Sequence, residues 1–250
     1  MFRKILRGCQ LPVAVAACLG LGLGLLSPLD AHAALTISAT RLIQPSDKHS
    51  TSLIVANPSQ RTYAAQAWVN TSTDDNATAV PLIASPALFR IDPGSEQTVQ
   101  INRLPNDLPQ DRESLFFFNL QEIPQSDAEP GNALTIAMRT RIKVFYRPSQ
   151  LKGRPQDRLA ELAWSVQSIE GKAHLVVDNP SPFHFTFNQL TVTGPQASEK
   201  IESRHMALPL SRQTYPLHTL SVQDGLKVEF TTVNDYGGIT PKVISPVSRS

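Results

Sequence analysis

The chain has 250 residues, with 23 Lys+Arg against 21 Asp+Glu and a formal net charge of +2. Three of those cations and one of the acids fall within the first 33 residues, leaving 20 of each in the remainder, so a strongly basic nucleic-acid surface is not indicated. Twenty prolines and few helix-period patterns argue against a helical protein.

Residues 1–33 have the three parts of a secretory signal: a basic start (Arg3, Lys4, Arg7), an apolar run from Leu11 to Leu26, and the small-residue pattern Ala31-His32-Ala33. Cleavage is expected after Ala33, giving an exported, soluble chain that begins at Ala34. The apolar run is too short for a convincing membrane span. A competing lipoprotein box, Val15-Ala16-Ala17-Cys18, fits less well because "LGLGLL" continues past the cysteine. Both cysteines, Cys9 and Cys18, lie in the removed segment, so the mature chain has neither disulfide nor thiol chemistry in a compartment that would permit it.

From Leu35 onward the sequence reads as short strands: "LTISATRLI", "STSLIVANP", "TYAAQAWVN", "AVPLIASPALFRI", "EQTVQINRL", "ESLFFFNLQEI" and "ALTIAMRTRIKVFY". Turn-rich segments such as "NPSQR", "STDDNA", "DPGS" and "QSDAEPGN" separate them. The pattern predicts an immunoglobulin-like sandwich over 34–148. Phe116-Phe117-Phe118 is expected on a central strand buried on both faces. A linker at 149–155 lies within "RPSQLKGRP", and strand patterns resume in a second all-β domain over 156–250, from "LAWSVQSIE" to "LKVEFTTV". "VANPS" and "VDNPSP" are similar strand ends, one in each half.

Catalytic signatures are missing from this pattern. No GxSxG, HExxH or phosphate loop occurs, and His49, His174, His184, His205 and His218 have no metal-ligand spacing among themselves. Solvated or packed histidines are the simpler reading, with His184 in "FHFTFN" on the polar face of a strand. No enzyme activity, cofactor, metal, nucleic acid or small-molecule substrate is expected.

One stretch is unusual. In "LTIAMRTRIKVFYRP", Leu134 to Pro148, Leu134, Ile136 and Met138 share one strand face. Arg139, Arg141, Lys143 and Arg147 follow with no acid in the stretch. Arg139 and Arg141 read as solvated on an outer strand face. Lys143 and Arg147 sit among Ile142, Val144, Phe145 and Tyr146, where a partly buried cation needs a counter-charge from elsewhere in the chain or from a partner.

With these residues in view, the chain resembles the PapD-like periplasmic chaperones of the chaperone–usher pilus pathway. "LPQDRESLFFFNLQEIP" (Leu108 to Pro124) carries most of the likeness. "IKVFYRP", "NDYGG" (Asn234 to Gly238), "AQAWV" and "DPGS" add to it, in order across both domains. The resemblance implies an all-β fold of two immunoglobulin-like sandwiches in a boomerang arrangement. It also implies a periplasmic, non-enzymatic chaperone that completes pilin subunits by donor-strand complementation and delivers them to an outer-membrane usher.

It further implies residue roles. Leu134, Ile136 and Met138 would enter the subunit groove, and Arg41 and Lys143 would bind the subunit's C-terminal carboxylate. Arg147 would form a structural interdomain ion network with Glu113 and Asp235. Self-association of the free protein is a weaker expectation. The short connection "QSDAEPGN" resembles the rod-pilus subfamily, whereas Gln125 and the absence of a C-terminal cysteine pair depart from the family pattern. Two other classes stay open on composition and periodicity alone, a secreted adhesion or carbohydrate-binding module and a periplasmic hydrolase.

Overall fold

A computed structural model of the chain describes residues 35–75, 77–124, 137–202 and 205–249. The first half contains β1 (Thr36–Ile37), β2 (Arg41–Pro45), β3 (Ser50–Ala56), β4 (Tyr63–Asn70), β5 (Leu82–Ser85), β6 (Leu88–Ile91), β7 (Glu96–Arg103), β8 (Ser114–Pro124) and β9 (Arg139–Arg147). These make two sheets, one ordered β1-β3-β7-β5 and the other β2-β9-β8-β4-β6. Alternation drives the packing, since Val55, Val99, Ile101, Phe118 and Val144 face inward and are fully buried between the sheets.

Two segments that read as single strands are each split between the sheets. "LTISATRLI" gives β1, which pairs with β3, and then β2, which pairs with β9. "AVPLIASPALFRI" gives β5 on β7 and β6 on β4. In both cases the chain crosses the sandwich, so one apolar segment covers an edge of each sheet. The crossing by β1 and β2 matters most, because it makes β2 parallel to β9.

β8 is central in its sheet, between β9 and β4. Phe116 and Phe118 point into the core, but Phe117 is only half-buried on the outer face, under the guanidinium of Arg141 at 3.9 Å from its ring centroid.

A 3₁₀ helix (Pro155–Glu161) opens the second half, with Pro155 in its first turn and Arg154 and Asp157 paired across its start. β10 (Ala163–Ile169), β11 (Lys172–Asn179), β12 (Phe187–Thr193), β13 (Ser198–Lys200), β14 (Ser211–Pro216), β15 (Lys227–Thr232), β16 (Val243–Pro246) and β17 (Ser248–Arg249) follow. They form sheets ordered β14-β11-β10-β17 and β13-β12-β15-β16. Trp164, Phe187, Phe230 and Tyr215 make an aromatic cluster between them, with centroids 5.2–6.2 Å apart. Between β13 and β14 an isolated bridge joins Ala207 to Phe185.

The similar strand ends have the same local chemistry. Asn57 Oδ1 accepts from the backbone N and hydroxyl of Ser59 at 3.1 and 2.7 Å, and Asn179 Oδ1 accepts from those of Ser181 at 3.0 and 2.7 Å. Each buried Asn thereby fixes the turn that leaves its strand.

The central place of β8 makes Phe118 the test of the first core. Phe118→Ala is expected to lower unfolding free energy by about 3–5 kcal/mol in urea denaturation; a loss within about 1 kcal/mol would contradict the packing described.

Candidate functional site

β9 divides its side chains between two destinations. Ile142, Val144 and Tyr146 enter the first core, while Arg139, Arg141, Lys143, Phe145 and Arg147 alternate onto the opposite face. Phe145 is nonetheless buried, because the second sandwich covers the C-terminal end of that face. The covering segment alternates too. Phe183, Phe185 and Phe187 fill the second core, which turns His184 and Thr186 toward β9.

The parallel register of β2 with β9 sets Arg41 beside Lys143 as Cα partners. Lys143 Nζ donates to Thr186 Oγ1 at 3.2 Å, and Arg41 Nη1 donates to the Val233 carbonyl at 2.9 Å. Arg41 Nε is buried without a partner. Among the described residues neither cation has an acidic side chain in salt-bridge contact. Burial and then the neighbouring Arg41 depress the Lys143 ammonium from its ordinary 10.5 to about 8. Burial also lowers the Arg41 guanidinium, an effect partly offset by the fields of Asp235 and Glu113.

Those two acids are engaged elsewhere. Arg147 Nε donates to Glu113 Oε1 at 2.7 Å, and Arg147 Nη1 and Nη2 grip the two Asp235 oxygens at 2.7 and 2.8 Å. Burial alone would lower the Arg147 guanidinium, but its bonds to Asp235 and Glu113 outweigh this and hold it above its ordinary value. The other Glu113 oxygen accepts from the His184 backbone N at 2.9 Å and lies 3.1 Å from His184 Nδ1. The network thus joins the residue that leads into β8, the end of β9 and two loops of the second sandwich, so it bears on their mutual orientation.

The loop holding Asp235 is fixed by Asn234, whose Oδ1 accepts from the N–H groups of Tyr236 and Gly238 at 3.0 and 2.9 Å. Gly237 has φ +84°, and a Cβ there would lie 2.4 Å from Thr40 Oγ1. Only glycine lets this loop reach the residue before Arg41.

β2 covers β9 only from Lys143 to Arg147. Among the described residues no strand pairs with the other side of Arg139–Ile142. Glu122 N–H donates to the Met138 carbonyl at 2.9 Å, so even-numbered residues bond toward β8 and the main-chain groups of Arg139 and Arg141 face the open edge. Met138, on the core-facing row, is 53 % exposed. Leu134 and Ile136 lie outside the described residues.

Two features differ from the reading of the sequence. Arg139 stays exposed on the outer face and Arg141 is half-buried there, but both pair with Asp74, an unforeseen partner supplied by the β4–β5 loop. His184 is a buried member of the ion network; the alternation "FHFTF" placed it on an outward face, and the first domain rather than water covers that face.

Among the described residues, the arrangement is an open strand edge that ends at two cations without an acidic partner. The chain matches two family models, "Pili and flagellar-assembly chaperone, PapD N-terminal domain" over residues 34–152 and "Pili assembly chaperone PapD, C-terminal domain" over residues 157–244. It is 37 % identical over 214 residues to the probable fimbrial chaperone YadV of Escherichia coli strain K12, covering 82 % of this chain and 86 % of that one. It is 35 % identical over 213 residues to the chaperone protein PapD of Escherichia coli, covering 83 % and 84 %. The crystal structure of the YadV chaperone superposes with a TM-score of 0.73 at 32 % identity, covering 85 % of this chain and 99 % of that one. The chain belongs to the PapD family of periplasmic pilus-assembly chaperones, which are binding proteins and not enzymes.

Proposed function

We propose that Arg41 and Lys143 bind the C-terminal carboxylate of a pilin subunit, and that the subunit's last strand lies along the open edge of β9. The observation that carries this reading is the pair of adjacent, half-buried cations that, among the described residues, have no acid of their own and stand where the free edge stops. A carboxylate there accepts charge-assisted hydrogen bonds from both and relieves their mutual repulsion.

The polarity of the added strand follows. With its terminus at Lys143 and its body beside Arg139–Ile142, it runs in the same direction as β9. Fixing one end also fixes register, which decides which side chains on the apolar row meet the subunit. Met138 heads that row, and Leu134 and Ile136 continue it in sequence. Burying each such side chain contributes about 1.5–3 kcal/mol before ordering costs.

The wider cycle rests on family membership. The exported chain starts at Ala34 after signal removal, holds the subunit part-folded in the periplasm, and passes it to an outer-membrane usher. Another subunit's extension then replaces the lent strand. Free protein, with its edge unoccupied, self-associates. Glu113, Arg147 and Asp235 serve as structural residues that hold the angle between sandwiches.

Co-expression with candidate pilin subunits from the same source tests the anchor. Wild type is expected to yield a soluble complex, while Arg41→Ala and Lys143→Ala, each folded, yield degraded or aggregated subunit. Equal recovery with all three proteins would remove the anchor.

A second expectation concerns stability. Below pH 8 the fold holds Lys143 charged against its burial, a cost absent from the unfolded chain, and this cost fades as pH rises from about 8 toward 10.5. Lys143→Met is therefore expected to raise the denaturation midpoint of the free protein at pH 7, with the gain shrinking above pH 8. A lower midpoint at pH 7 would mean that Lys143 is already compensated.

A further inference from the structure

Apart from the anchor, the cations at the start of β9 build a second cluster, on the outer face of the five-stranded sheet. Arg139 Nε and Nη2 donate to Asn119 Oδ1 at 3.1 and 2.6 Å, and its Nη1 donates to Asp74 Oδ2 at 3.1 Å, with Nη2 also on Asp74 Oδ1. Its guanidinium stacks 4.9 Å from the Trp68 ring. Arg141 Nη2 donates to the Thr71 carbonyl at 2.6 Å, and its Nε stands 3.8 Å from Asp74 Oδ1.

The loop that brings Asp74 is itself built to hold it. Asp74 has φ 61°, in the left-handed region, and accepts from Asn70 Nδ2 at 2.8 Å. Its neighbour Asp75 accepts from the hydroxyls of Thr71 and Thr73 and from the N–H groups of Ala77 and Thr78. The left-handed conformation at a non-glycine residue is held by this surrounding network.

These contacts fall on the half of β9 whose outer edge is unpaired. A strand bonded on one side only loses its order first, and any order it lacks must be supplied when a partner binds. Side-chain contacts on one face leave the main-chain edge itself free for the partner.

We propose that Asp74, Arg139 and Arg141 form a clamp that holds the open edge of β9 in strand conformation ahead of subunit binding. Its role for the subunit rests on the chaperone reading above. Asp74 is a positioning residue: it acts through Arg139 and Arg141 and leaves the edge and the Arg41–Lys143 pair untouched.

Hydrogen exchange on the free mature protein, paired with subunit co-expression, tests this. Asp74→Asn tolerates the left-handed backbone and removes the charge. It is expected to speed exchange of the Thr140 and Ile142 amides, which bond toward β8, about tenfold, the scale of one charge-assisted hydrogen bond, with the rest of β9 and the second domain unchanged. Subunit recovery falls with it. Asp92→Asn, which breaks the exposed Arg90 pair on the same sheet, alters neither.

Unchanged exchange at Thr140 and Ile142 overturns the clamp. Faster exchange with undiminished subunit recovery overturns its role in binding. Failure of wild type to hold any subunit overturns the chaperone reading on which that role rests, whatever the exchange result.

Discussion

The parallel pairing of β2 with β9 is the constraint on which the rest of the site depends. It brings Arg41 against Lys143, and it stops there, so the strand beyond is left with an open edge. An antiparallel or longer β2 would cover that edge or part the two cations. The crossing of the chain between β1 and β2 therefore creates this arrangement, and Gly237 against Thr40 keeps the second sandwich close to it.

Stability and binding pull in opposite directions at this point. Arg147 is fully compensated by Glu113 and Asp235, whereas Arg41 and Lys143 share a hydroxyl and a carbonyl and repel each other. A fold selected for stability alone would not keep two cations in such a place. In the proposed complex the bound terminus supplies the missing charge, which makes the free protein the strained partner and the complex the relieved one.

Much of this was legible in the sequence, and its limits have physical causes. Turn residues marked most strand ends, and the apolar neighbours Ile142, Val144, Phe145 and Tyr146 marked Lys143 and Arg147 as partly buried cations. Spacing could not pair Arg41 with Lys143, because strand pairing across a hundred residues leaves no local signature; only the family resemblance named them together. The pairing of Arg139 and Arg141 with Asp74 was not legible, because Asp74 is 65 residues away from Arg139 and arrives on a loop. His184 was placed on the correct face of "FHFTF", but sequence alone does not distinguish a face covered by water from one covered by another domain. Family membership decides for a chaperone over the adhesion module and the hydrolase.

The central claim is that a carboxylate at Arg41 and Lys143 sets the register of the added strand. The most direct test varies the subunit and keeps the chaperone wild type: a pilin subunit with its natural C-terminus is compared with the same subunit extended by a few residues, and periplasmic complex is measured by purification. Capture of the natural subunit with loss of the extended one is the predicted result. Equal capture of both would contradict an anchor at the terminus and leave main-chain pairing alone to account for binding.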